Sequence, residues 1–552
     1  MSTGERTVDV VVVGAGAAGM TAALAAAHNG LDTLLVEKGA HYGGSTARSG
    51  GGLWVPNNQV ILAAGVPDTP AAAHAYLAHI TDGEVDEDLR RAFLDNGPAM
   101  LAFVLANTPL RMRWVPGYAD YYPEAPGGLP QGRSIEPSPM DARLVGADLA
   151  TLAPPYLRAP TGMAVTQADY RWMNLMARHP RGLLRTGRVA GRRVVSLLTR
   201  RRLLTMGQAL AGGLRAGLRR AGVPVRLNTP LTGFRVERGR VVGVDTPDGP
   251  VTARRGVILT TGGFEHNERM RKEYQRAPIG TEWTVGAAEN TGDGIEAGLR
   301  LGAAVAVMDD SWWGPTIQLP RGPYFFLAER TLPGCILVNQ GGERFVNEAA
   351  PYVDAVHAMY DNHTDEVPHI PAWLVADQRY RNRYVFAGLG PRQPFPRHWY
   401  EFGTVRRSST VEGLAERIEV PVEALRRTVD RFNGFAASGV DKDFGRGESA
   451  YDRYYGDPRN RPNPCLAPLA RPPYYAVRVV PGDLGTKGGL RTDPVARVLR
   501  EDGSVIPGLY AAGNASAPVM GRTYAGPGAT LGPAMTFGYL AVQHILERDD
   551  DQ

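Results

Sequence analysis

The first 38 residues place two apolar runs on either side of a glycine-rich turn and an alanine-rich stretch. Residues 8–38, VDVVVVGAGAAGMTAALAAAHNGLDTLLVEK, predict a strand, a glycine turn, a helix and a second strand. A strand that is apolar at successive positions is typical of a parallel sheet covered on both faces. Small alanine side chains would let the helix pack closely on that sheet. The chain is therefore predicted to begin with a strand–helix–strand unit.

Two later segments repeat a short apolar run that ends in a glycine turn. They are GVILTTGGFEHN at residues 256–267 and PGLYAAGNASA at residues 507–517. Residues 224–249, PVRLNTPLTGFRVERGRVVGVDTPDG, alternate in the manner of antiparallel strands. Because the apolar strands are scattered along the chain, we expect one sheet assembled from distant segments. The irregular central part is then an inserted domain.

Length and composition restrict the class of protein. The 552 residues are enough for two or three domains. Cys335 and Cys465 are too few and too far apart for a disulfide framework or a zinc site, so no metal is expected. No segment reaches the roughly 18 uninterrupted apolar residues of a membrane-spanning helix, and the first apolar run lacks the features of a signal peptide. We expect a cytoplasmic protein.

Charge is unevenly distributed along the chain. There are 61 Lys and Arg against 56 Asp and Glu, but residues 178–220 hold many arginines and no acidic residue. This stretch lacks a nucleic-acid recognition motif and interleaved aromatic residues, so no nucleic-acid partner is expected. Two interpretations remain, a solvated face beside a loop and a basic patch in peripheral contact with anionic lipid.

The first glycine turn fits the dinucleotide-binding fingerprint. Gly14 would make the tight turn, Gly16 would admit the pyrophosphate, and Gly19 would let helix and strand approach. Glu37 ends the next strand at the distance expected for binding a ribose hydroxyl, which disfavours NADP. The following segment, KGAHYGGSTARSGGG, offers backbone amides and small hydroxyls to an extended pyrophosphate and ribityl chain. FAD is therefore favoured over NAD.

These motifs resemble the FAD-binding half of the fumarate reductase/succinate dehydrogenase flavoprotein superfamily. The resemblance rests on residues 11–56 and on the segments ENTGDGIEAGLRLGA, GCILVNQGGERFVNEAAPY and PGLYAAGN, which span nearly the whole chain. It implies an α/β fold with a Rossmann-like FAD-binding domain built from residues 1–307 and 480–552. Residues 308–479 would form an inserted α+β catalytic (cap) domain.

The same resemblance implies FAD as the cofactor. Ser45, Thr46 and Ser49 occupy the segment where a flavin-linked histidine would stand, so FAD is expected to be held noncovalently. The positions expected to contact FAD are Gly14, Ala15, Gly16, Ala17, Ala18, Gly19, Glu37, Lys38, Gly44, Ser45, Thr46, Ser49, Gly50, Gly51, Gly262, Gly513, Asn514, Thr530 and Leu531.

The C-terminal segment resembles one branch of this superfamily. The dicarboxylate reductases hold two carboxylates with arginines and a His-Pro-Thr motif, whereas the nearest string here, RHPRG, lacks the threonine. Residues 514–541, NASAPVMGRTYAGPGATLGPAMTFGYLA, resemble the signature of 3-ketosteroid Δ1-dehydrogenases. This implies that the Tyr524 hydroxyl and the Gly528 N–H bind the C3 carbonyl of a steroid. The N-terminus of the helix that follows would face the flavin and stabilise its anionic reduced form.

Two further tyrosines match positions of that family. GYADYYPEAPGG is similar to its early aromatic segment, where the spacing of Tyr118 and Tyr121 assigns Tyr121 to the active site, with Tyr122 as the alternative register. RFVNEAAPYVDA places Tyr352 at the position of the catalytic tyrosine. The implied reaction removes hydrogens from C1 and C2 of a steroid A ring, with Tyr352 as the base and Tyr121 bonded to it. Burial raises the pKa of a tyrosine above its usual value of about 10, so a neighbouring group must offset this and an alkaline optimum is expected.

Three alternatives stay open from the sequence. A 3-ketosteroid Δ4-(5α)-dehydrogenase would act elsewhere on the A ring. A fumarate-reductase-like enzyme would reduce an activated alkene and would bring arginines to the flavin. A noncatalytic flavin-binding protein would not be reduced by any ketosteroid. The acceptor that reoxidises the flavin is not visible in the sequence, and a quinone would suit a protein apposed to a membrane.

Overall fold

The computed structural model of the protein describes residues 6–156 and 162–547. The strands are β1 (Arg6–Val13), β2 (Thr33–Val36), β3 (Leu53–Trp54), β4 (Met112–Trp114), β5 (Ser134–Pro137), β6 (Met140–Asp141), β7 (Leu203–Leu204), β8 (Val225–Arg226), β9 (Gly233–Glu237), β10 (Arg240–Thr246), β11 (Gly249–Leu259), β12 (Val305–Ala306), β13 (Ser311–Leu319), β14 (Gly322–Phe325), β15 (Cys335–Val338), β16 (Ala372–Asp377), β17 (Val405–Ser408), β18 (Tyr474–Thr486), β19 (Gly489–Leu490), β20 (Arg497–Leu499) and β21 (Val505–Ala511). The helices are α1 (Ala17–His28), α2 (Gly44–Arg48), α3 (Gln59–Ala63), α4 (Pro70–Thr81), α5 (Glu87–Asn107), α6 (Gln167–Met173), α7 (Pro180–Leu198), α8 (Met206–Arg220), α9 (Glu268–Tyr274), α10 (Asp293–Arg300), α11 (Tyr352–Asp361), α12 (Gln378–Arg383), α13 (Arg397–Glu401), α14 (Val411–Arg417), α15 (Val422–Ser438), α16 (Ala450–Tyr455) and α17 (Leu531–Glu547).

The larger sheet has eight strands and brings the two ends of the chain together. Its order is β20-β21-β11-β1-β2-β8, and β9 and β10 extend it from β11. β1 lies between β2 and β11 and runs parallel to both, and β21 runs parallel to β11. The expected sheet of distant segments is confirmed, and with it the α/β fold class.

One part of the expectation for residues 224–249 is wrong. β9, β10 and β11 pair antiparallel, as the alternation predicted. β8, however, pairs parallel with β2. Helix α8, which precedes β8, brings the chain back so that β8 starts at the end of the sheet where β2 starts. Local alternation of apolar and polar residues does not predict the direction in which a strand enters the sheet.

Helices α1 and α17 pack together at close range beside this sheet. A Cβ on Gly19 in α1 would lie 2.0 Å from the carbonyl oxygen of Gly14. A Cβ on Gly538 in α17 would lie 2.7 Å from the carbonyl oxygen of Ala18. The absence of a side chain on Gly538 lets α17 approach α1, and its absence on Gly19 lets α1 approach the glycine turn that follows β1.

A second sheet of six antiparallel strands is built from residues 311–486. Its order is β14-β13-β18-β16-β15, with β17 also paired to β18. Helix α11 packs against β13. The proposed boundary between residues 479 and 480 falls within β18, and the division into domains stays a prediction.

The arginine-rich residues 178–220 form two helices in different surroundings. α8 is largely buried and packs against α1 and α2. α7 leaves a row of apolar side chains 54–79% exposed, namely Leu183, Leu184, Val194, Val195, Leu197 and Leu198. Within residues 6–156 and 162–547, no helix is both long enough and apolar enough to span a bilayer.

Candidate active site

The first glycine turn is fixed between β1 and β11 by close backbone contacts. Gly14 has a φ of +108°, and a Cβ on it would lie 2.3 Å from the carbonyl oxygen of Thr260. The Thr260 hydroxyl lies 2.9 Å from the carbonyl oxygens of both Val13 and Gly14. Only glycine fits at position 14, so the turn is held in the shape that opens α1.

The N-terminus of α1 faces open space beside α2. A Cβ on Gly16 would meet no atom closer than Thr46 Oγ1, at 3.8 Å, and a Cβ on Gly44 would meet no atom within 4 Å. Thr46 Oγ1 accepts a hydrogen bond from the backbone N–H of Ala17 at 3.0 Å. Backbone N–H groups at a helix N-terminus are suited to bind a pyrophosphate. These residues therefore fit the phosphates of FAD.

The acid that ends β2 lies against the glycine turn. Glu37 accepts hydrogen bonds from the backbone N–H groups of Ala15 and Gly39, both at 2.8 Å, and burial raises its pKa. Lys38 turns toward α10, where its ammonium lies 2.6 Å from both Asp293 and Thr291. Contact of Glu37 and Lys38 with a cofactor stays a prediction.

Ser45 is connected to a buried carboxyl through one asparagine. Ser45 Oγ accepts hydrogen bonds from the backbone N–H of Ala287 and from Asn290 Nδ2, both at 3.1 Å. Asn290 Nδ2 also donates to Glu265 Oε1 at 2.6 Å. Gly262 lies against the same asparagine, since a Cβ at this position would lie 2.3 Å from Asn290 Oδ1. Burial and the nearby Asp483 raise the pKa of Glu265 to about 7.

The segment after α2 is fixed by small residues. Ser49 Oγ accepts from the backbone N–H of Gly51 at 3.0 Å, and Gln167 Nε2 donates to the carbonyl oxygen of Gly50 at 3.1 Å. A Cβ on Gly51 would lie 2.4 Å from the carbonyl carbon of Met206, at the start of α8. The predicted loop contacts therefore lie between α2 and α8.

The C-terminal part of the predicted cofactor site meets the N-terminal part. A Cβ on Gly513 would lie 3.5 Å from the Cβ of Ala18. Asn514 Oδ1 accepts a hydrogen bond from Trp312 Nε1 at 3.0 Å. One cavity has among its lining residues Gly513, Asn514, Thr530, Trp312 and Lys487. The predicted cofactor residues from both ends of the chain are thus neighbours.

The three predicted catalytic tyrosines form a triangle of aromatic rings. Ring centroids lie 5.4 Å apart for Tyr121 and Tyr352, 5.2 Å for Tyr121 and Tyr524, and 5.5 Å for Tyr352 and Tyr524. All three side chains are buried, and burial raises the pKa of each. The fold therefore brings together tyrosines that are more than 170 residues apart in the chain.

The Tyr524 turn, residues 521–530, directs two hydrogen-bond donors to one place. Gly528 has a φ of +98°, and a Cβ on it would lie 2.5 Å from the carbonyl oxygen of Gly52. The Gly528 N–H interacts with the Tyr524 hydroxyl, which also shares a 2.9 Å hydrogen bond with Thr530. Leu531 begins α17 directly after this turn. The two predicted carbonyl-binding donors therefore converge.

The structure distinguishes the two candidate registers of the early tyrosine pair. Tyr121 makes the ring contacts with Tyr352 and Tyr524, whereas the hydroxyl of Tyr122 donates to Asp354 Oδ1 at 2.8 Å. Tyr118 lies outside this triangle and stacks on Tyr454 with ring centroids 4.3 Å apart. Of the two registers, the one with Tyr121 brings the early tyrosine to Tyr352 and Tyr524, and the role of Tyr121 in an active site stays a prediction.

Two groups beside the triangle were not predicted from the sequence. Tyr451 packs on Tyr121 with ring centroids 4.8 Å apart. Arg330 is fully buried, interacts electrostatically with Tyr451 and Tyr121, and donates to the carbonyl oxygen of Glu348 at 2.5 Å. Three tyrosines within the six residues AYDRYY of α16 were the available signal for Tyr451. An arginine in the run LAERTLPG was a weaker signal for Arg330.

Comparison with known proteins agrees with this geometry. The protein-family model for the FAD binding domain matches residues 9–531, so the fold and the glycine-lined site define a flavoprotein whose cofactor is FAD. The chain is 58% identical to a 3-oxosteroid 1-dehydrogenase of Mycobacterium tuberculosis (strain ATCC 25618 / H37Rv), over 98% of both chains. It is 57% identical to one of Mycolicibacterium smegmatis (strain ATCC 700084 / mc(2)155), over 97% of both. The protein belongs to the 3-oxosteroid 1-dehydrogenase family.

A solved structure shares the complete fold. The 3-ketosteroid Δ1-dehydrogenase of Sterolibacterium denitrificans, in complex with 1,4-androstadiene-3,17-dione, is 42% identical with a TM-score of 0.94. The match covers 98% of this chain and 100% of that one. The arrangement of a FAD-binding part and a cap is thus that of a ketosteroid dehydrogenase.

Proposed function

We propose that this protein is an FAD-dependent dehydrogenase that introduces a double bond between C1 and C2 of the A ring of 3-ketosteroids. The observation that carries the proposal is the triangle of Tyr121, Tyr352 and Tyr524 beside the start of α17. Its products would be 1-ene or 1,4-diene-3-ketosteroids. The 58% identity to a 3-oxosteroid 1-dehydrogenase over nearly the whole chain supports the same activity.

FAD, held noncovalently, supplies the acceptor for the hydride from C1. The N-terminus of α1 and Thr46 would hold its phosphates, and Glu37 would bind a ribose hydroxyl. The N-terminus of α17, a helix of 17 residues, contributes partial positive charge where negative charge develops.

Tyr524 and Gly528 would polarise the substrate. Removal of a proton from C2 places negative charge on the C3 oxygen, and fixed donors aimed at that oxygen lower the barrier. The Tyr524 hydroxyl would donate to the steroid, and the Gly528 N–H, which interacts with that hydroxyl, would donate to the same carbonyl oxygen. Thr530 orients the tyrosine hydroxyl.

Tyr352 would take the C2 proton. Burial raises the pKa of Tyr352 well above its ordinary value, so its surroundings must favour the phenolate. Three features of these surroundings can do so. The hydroxyl of Tyr121 interacts with it. Tyr352 is the first residue of α11, where the helix N-terminus favours negative charge. The buried cation of Arg330 lies within electrostatic reach of Tyr121.

The decisive experiment is anaerobic mixing of the purified holoenzyme with androst-4-ene-3,17-dione. We expect the flavin absorbance to bleach and the 1,4-diene-3,17-dione to form. The Tyr352→Phe variant should bleach far more slowly, whereas Tyr510→Phe, a buried tyrosine of β21, is the matched control. No bleaching with this steroid or its 5α-reduced analogue would refute ring-A dehydrogenation of these substrates. A product with a new double bond elsewhere in the ring would refute the 1,2 position.

We also propose that α7 rests on the cytoplasmic face of an anionic membrane. Its exposed leucines and valines alternate with arginines, which is the composition of an interfacial helix. A steroid substrate and a quinone acceptor are both lipid-soluble, so this placement would bring both to the enzyme.

Vesicle binding tests this placement. Co-flotation is expected with phosphatidylglycerol vesicles and not with phosphatidylcholine vesicles. The variant Leu184→Glu should weaken co-flotation, whereas Leu144→Glu, another exposed leucine, should not. Equal flotation of wild type and Leu184→Glu would contradict the proposal. Reduction of a soluble quinone analogue by the steroid-reduced enzyme would support the acceptor.

A further inference from the structure

A fully buried lysine contacts the Tyr524 turn from outside the predicted catalytic set. Lys487 directly follows the residue that ends β18, and its side chain is completely shielded from solvent. Its ammonium donates to the carbonyl oxygens of Arg522 at 2.8 Å and Thr523 at 3.2 Å. These are the two residues that precede Tyr524 in the chain. The position of the tyrosine is therefore tied to the position of the lysine.

The third partner of the ammonium is a carboxylate. Lys487 Nζ lies 2.8 Å from Asp310 Oδ2, and the backbone N–H of Lys487 donates to the carbonyl oxygen of Asp310 at 3.1 Å. An ammonium has three N–H groups, and here each has an acceptor. Burial raises the pKa of Asp310, but Lys487 and His357 outweigh burial and lower it to about 2. The Asp310 carboxyl is therefore ionised at neutral pH, whereas burial lowers the pKa of Lys487 and Asp310 opposes that shift.

The Asp310 carboxylate connects Lys487 to α11, the helix that carries the proposed base. Asp310 Oδ1 lies 2.8 Å from Nε2 of His357 and also accepts from the indole of Trp313. His357 is on α11, the helix whose first residue is Tyr352. A continuous chain of polar contacts thus joins the Tyr524 turn to the helix that carries the proposed base.

The same lysine borders the cofactor site. Its ammonium lies 4.9 Å from the centre of the Trp312 ring, whose Nε1 donates to Asn514 and whose ring packs against Tyr524 at 4.9 Å. Lys487 and Asn514 line the same cavity. The buried cation therefore lies where the cofactor residues and a catalytic tyrosine meet.

We propose that Lys487 is a positioning residue for the reaction. Together with Asp310 it holds the Tyr524 turn at a fixed position relative to α11, the helix that begins with Tyr352. The inference rests on the proposed function for the roles of the two tyrosines. Lys487 would act through the backbone carbonyls of Arg522 and Thr523 and not through contact with the substrate. Its removal should therefore release the turn and weaken recognition of the C3 carbonyl while leaving Tyr524 itself present.

The test uses the FAD-loaded enzyme and a pair of neutral substitutions. Removing one member of a buried ion pair is strongly destabilising, so Lys487→Met is combined with Asp310→Asn, which leaves neither member of the pair as an unpaired charge. The matched control is Lys272→Met with Glu268→Gln, an exposed lysine–carboxylate pair on α9. Thermal melting and flavin content establish that both variants are folded.

Hydrogen exchange measures the positioning without any steroid. We expect the amides of residues 521–530 to exchange at least tenfold faster in the Lys487→Met/Asp310→Asn variant than in the wild type or the control. Unchanged exchange in this segment would overturn the inference, whatever the enzyme does with steroids.

A double-mutant cycle with Tyr524→Phe measures the coupling. Neutralising the pair should lower kcat/KM for androst-4-ene-3,17-dione about twentyfold in the wild-type background and less than threefold in the Tyr524→Phe background. Equal losses in both backgrounds would show that the pair does not act through Tyr524 and would overturn the proposal. If the wild type does not oxidise the steroid, the proposed function fails, and the exchange experiment still decides on Lys487.

Discussion

The hydroxyl of Tyr524 and Oγ1 of Thr530 lie 2.9 Å apart at the entrance to α17. A hydrogen bond between residues six positions apart holds the Tyr524 turn closed just before its helix begins. The same turn carries the Gly528 N–H, so the two proposed donors for the steroid carbonyl share one segment. The proposed polarisation of the substrate and the positive end of the α17 dipole would thereby be linked.

Loss of the Tyr524 hydroxyl should mainly affect the chemical step. Removing one donor from a site that stabilises a developing oxyanion typically costs about 10²–10³ in kcat. We expect Tyr524→Phe to lower kcat by this factor while the flavin stays bound, as measured by anaerobic stopped-flow reduction. Tyr510→Phe provides the control for loss of a buried tyrosine hydroxyl elsewhere. A kcat within threefold of the wild type would contradict the assigned role.

Removal of the Arg330 cation should shift the pH profile upward. The buried guanidinium interacts electrostatically with Tyr121, which is hydrogen-bonded to Tyr352, so we expect it to favour a phenolate in this pair and to lower the pKa at which the pair loses its proton. We expect Arg330→Met to raise the apparent pKa in the pH profile of kcat/KM. At a pH below that pKa, kcat/KM should fall about tenfold for each unit by which the pKa rises. Arg330→Lys should preserve the profile. A loss of activity that is the same at every pH would argue for a purely structural role.

Glu265 should make stability depend on pH. Its pKa is about 7 in the folded protein against an ordinary value of 4.5, so the folded state binds more protons between these values. Stability is therefore expected to fall as pH rises from about 4.5 to about 7. Glu265→Gln should raise the melting temperature at pH 8.5 by about 2–4 °C and leave it unchanged at pH 4. Glu273→Gln, on the exposed side of α9, is the control, and an equal shift at both pH values would refute the assignment.

Closing the space beside Gly16 should exclude the cofactor. The N-terminus of α1 is open at this position, and a valine side chain would occupy the place of the pyrophosphate. We expect Gly16→Val to weaken FAD binding by at least about tenfold, measured by titration of flavin fluorescence. Gly434→Ala, on α15 with no atom within 4 Å of the added Cβ, is the control for a tolerated substitution. Full flavin content in Gly16→Val would contradict the placement.

The local sequence pattern was sufficient to predict the first strand, the glycine turn and the first helix of the fold. Gly14 adopts a positive φ, and the apolar run of β1 is buried on both faces. A few adjacent residues, the glycine and the apolar run before it, are enough to predict both features. The α/β class and the sheet of distant segments followed from three such runs. The parallel pairing of β8 did not, because it depends on the path of α8.

The candidate site divides in the same way. The signature around Tyr524 and Gly528 could be recognised in the sequence because one continuous turn carries it. The choice between Tyr121 and Tyr122 required the tertiary structure, since neighbouring residues of a loop point in different directions and only packing decides which ring meets Tyr352. The contacts of Arg330 and Lys487 are with segments distant in the chain. Sequence by itself determined the cofactor turn and the predicted carbonyl-binding turn, whereas the surroundings of the tyrosines arise only when segments distant in the chain pack together.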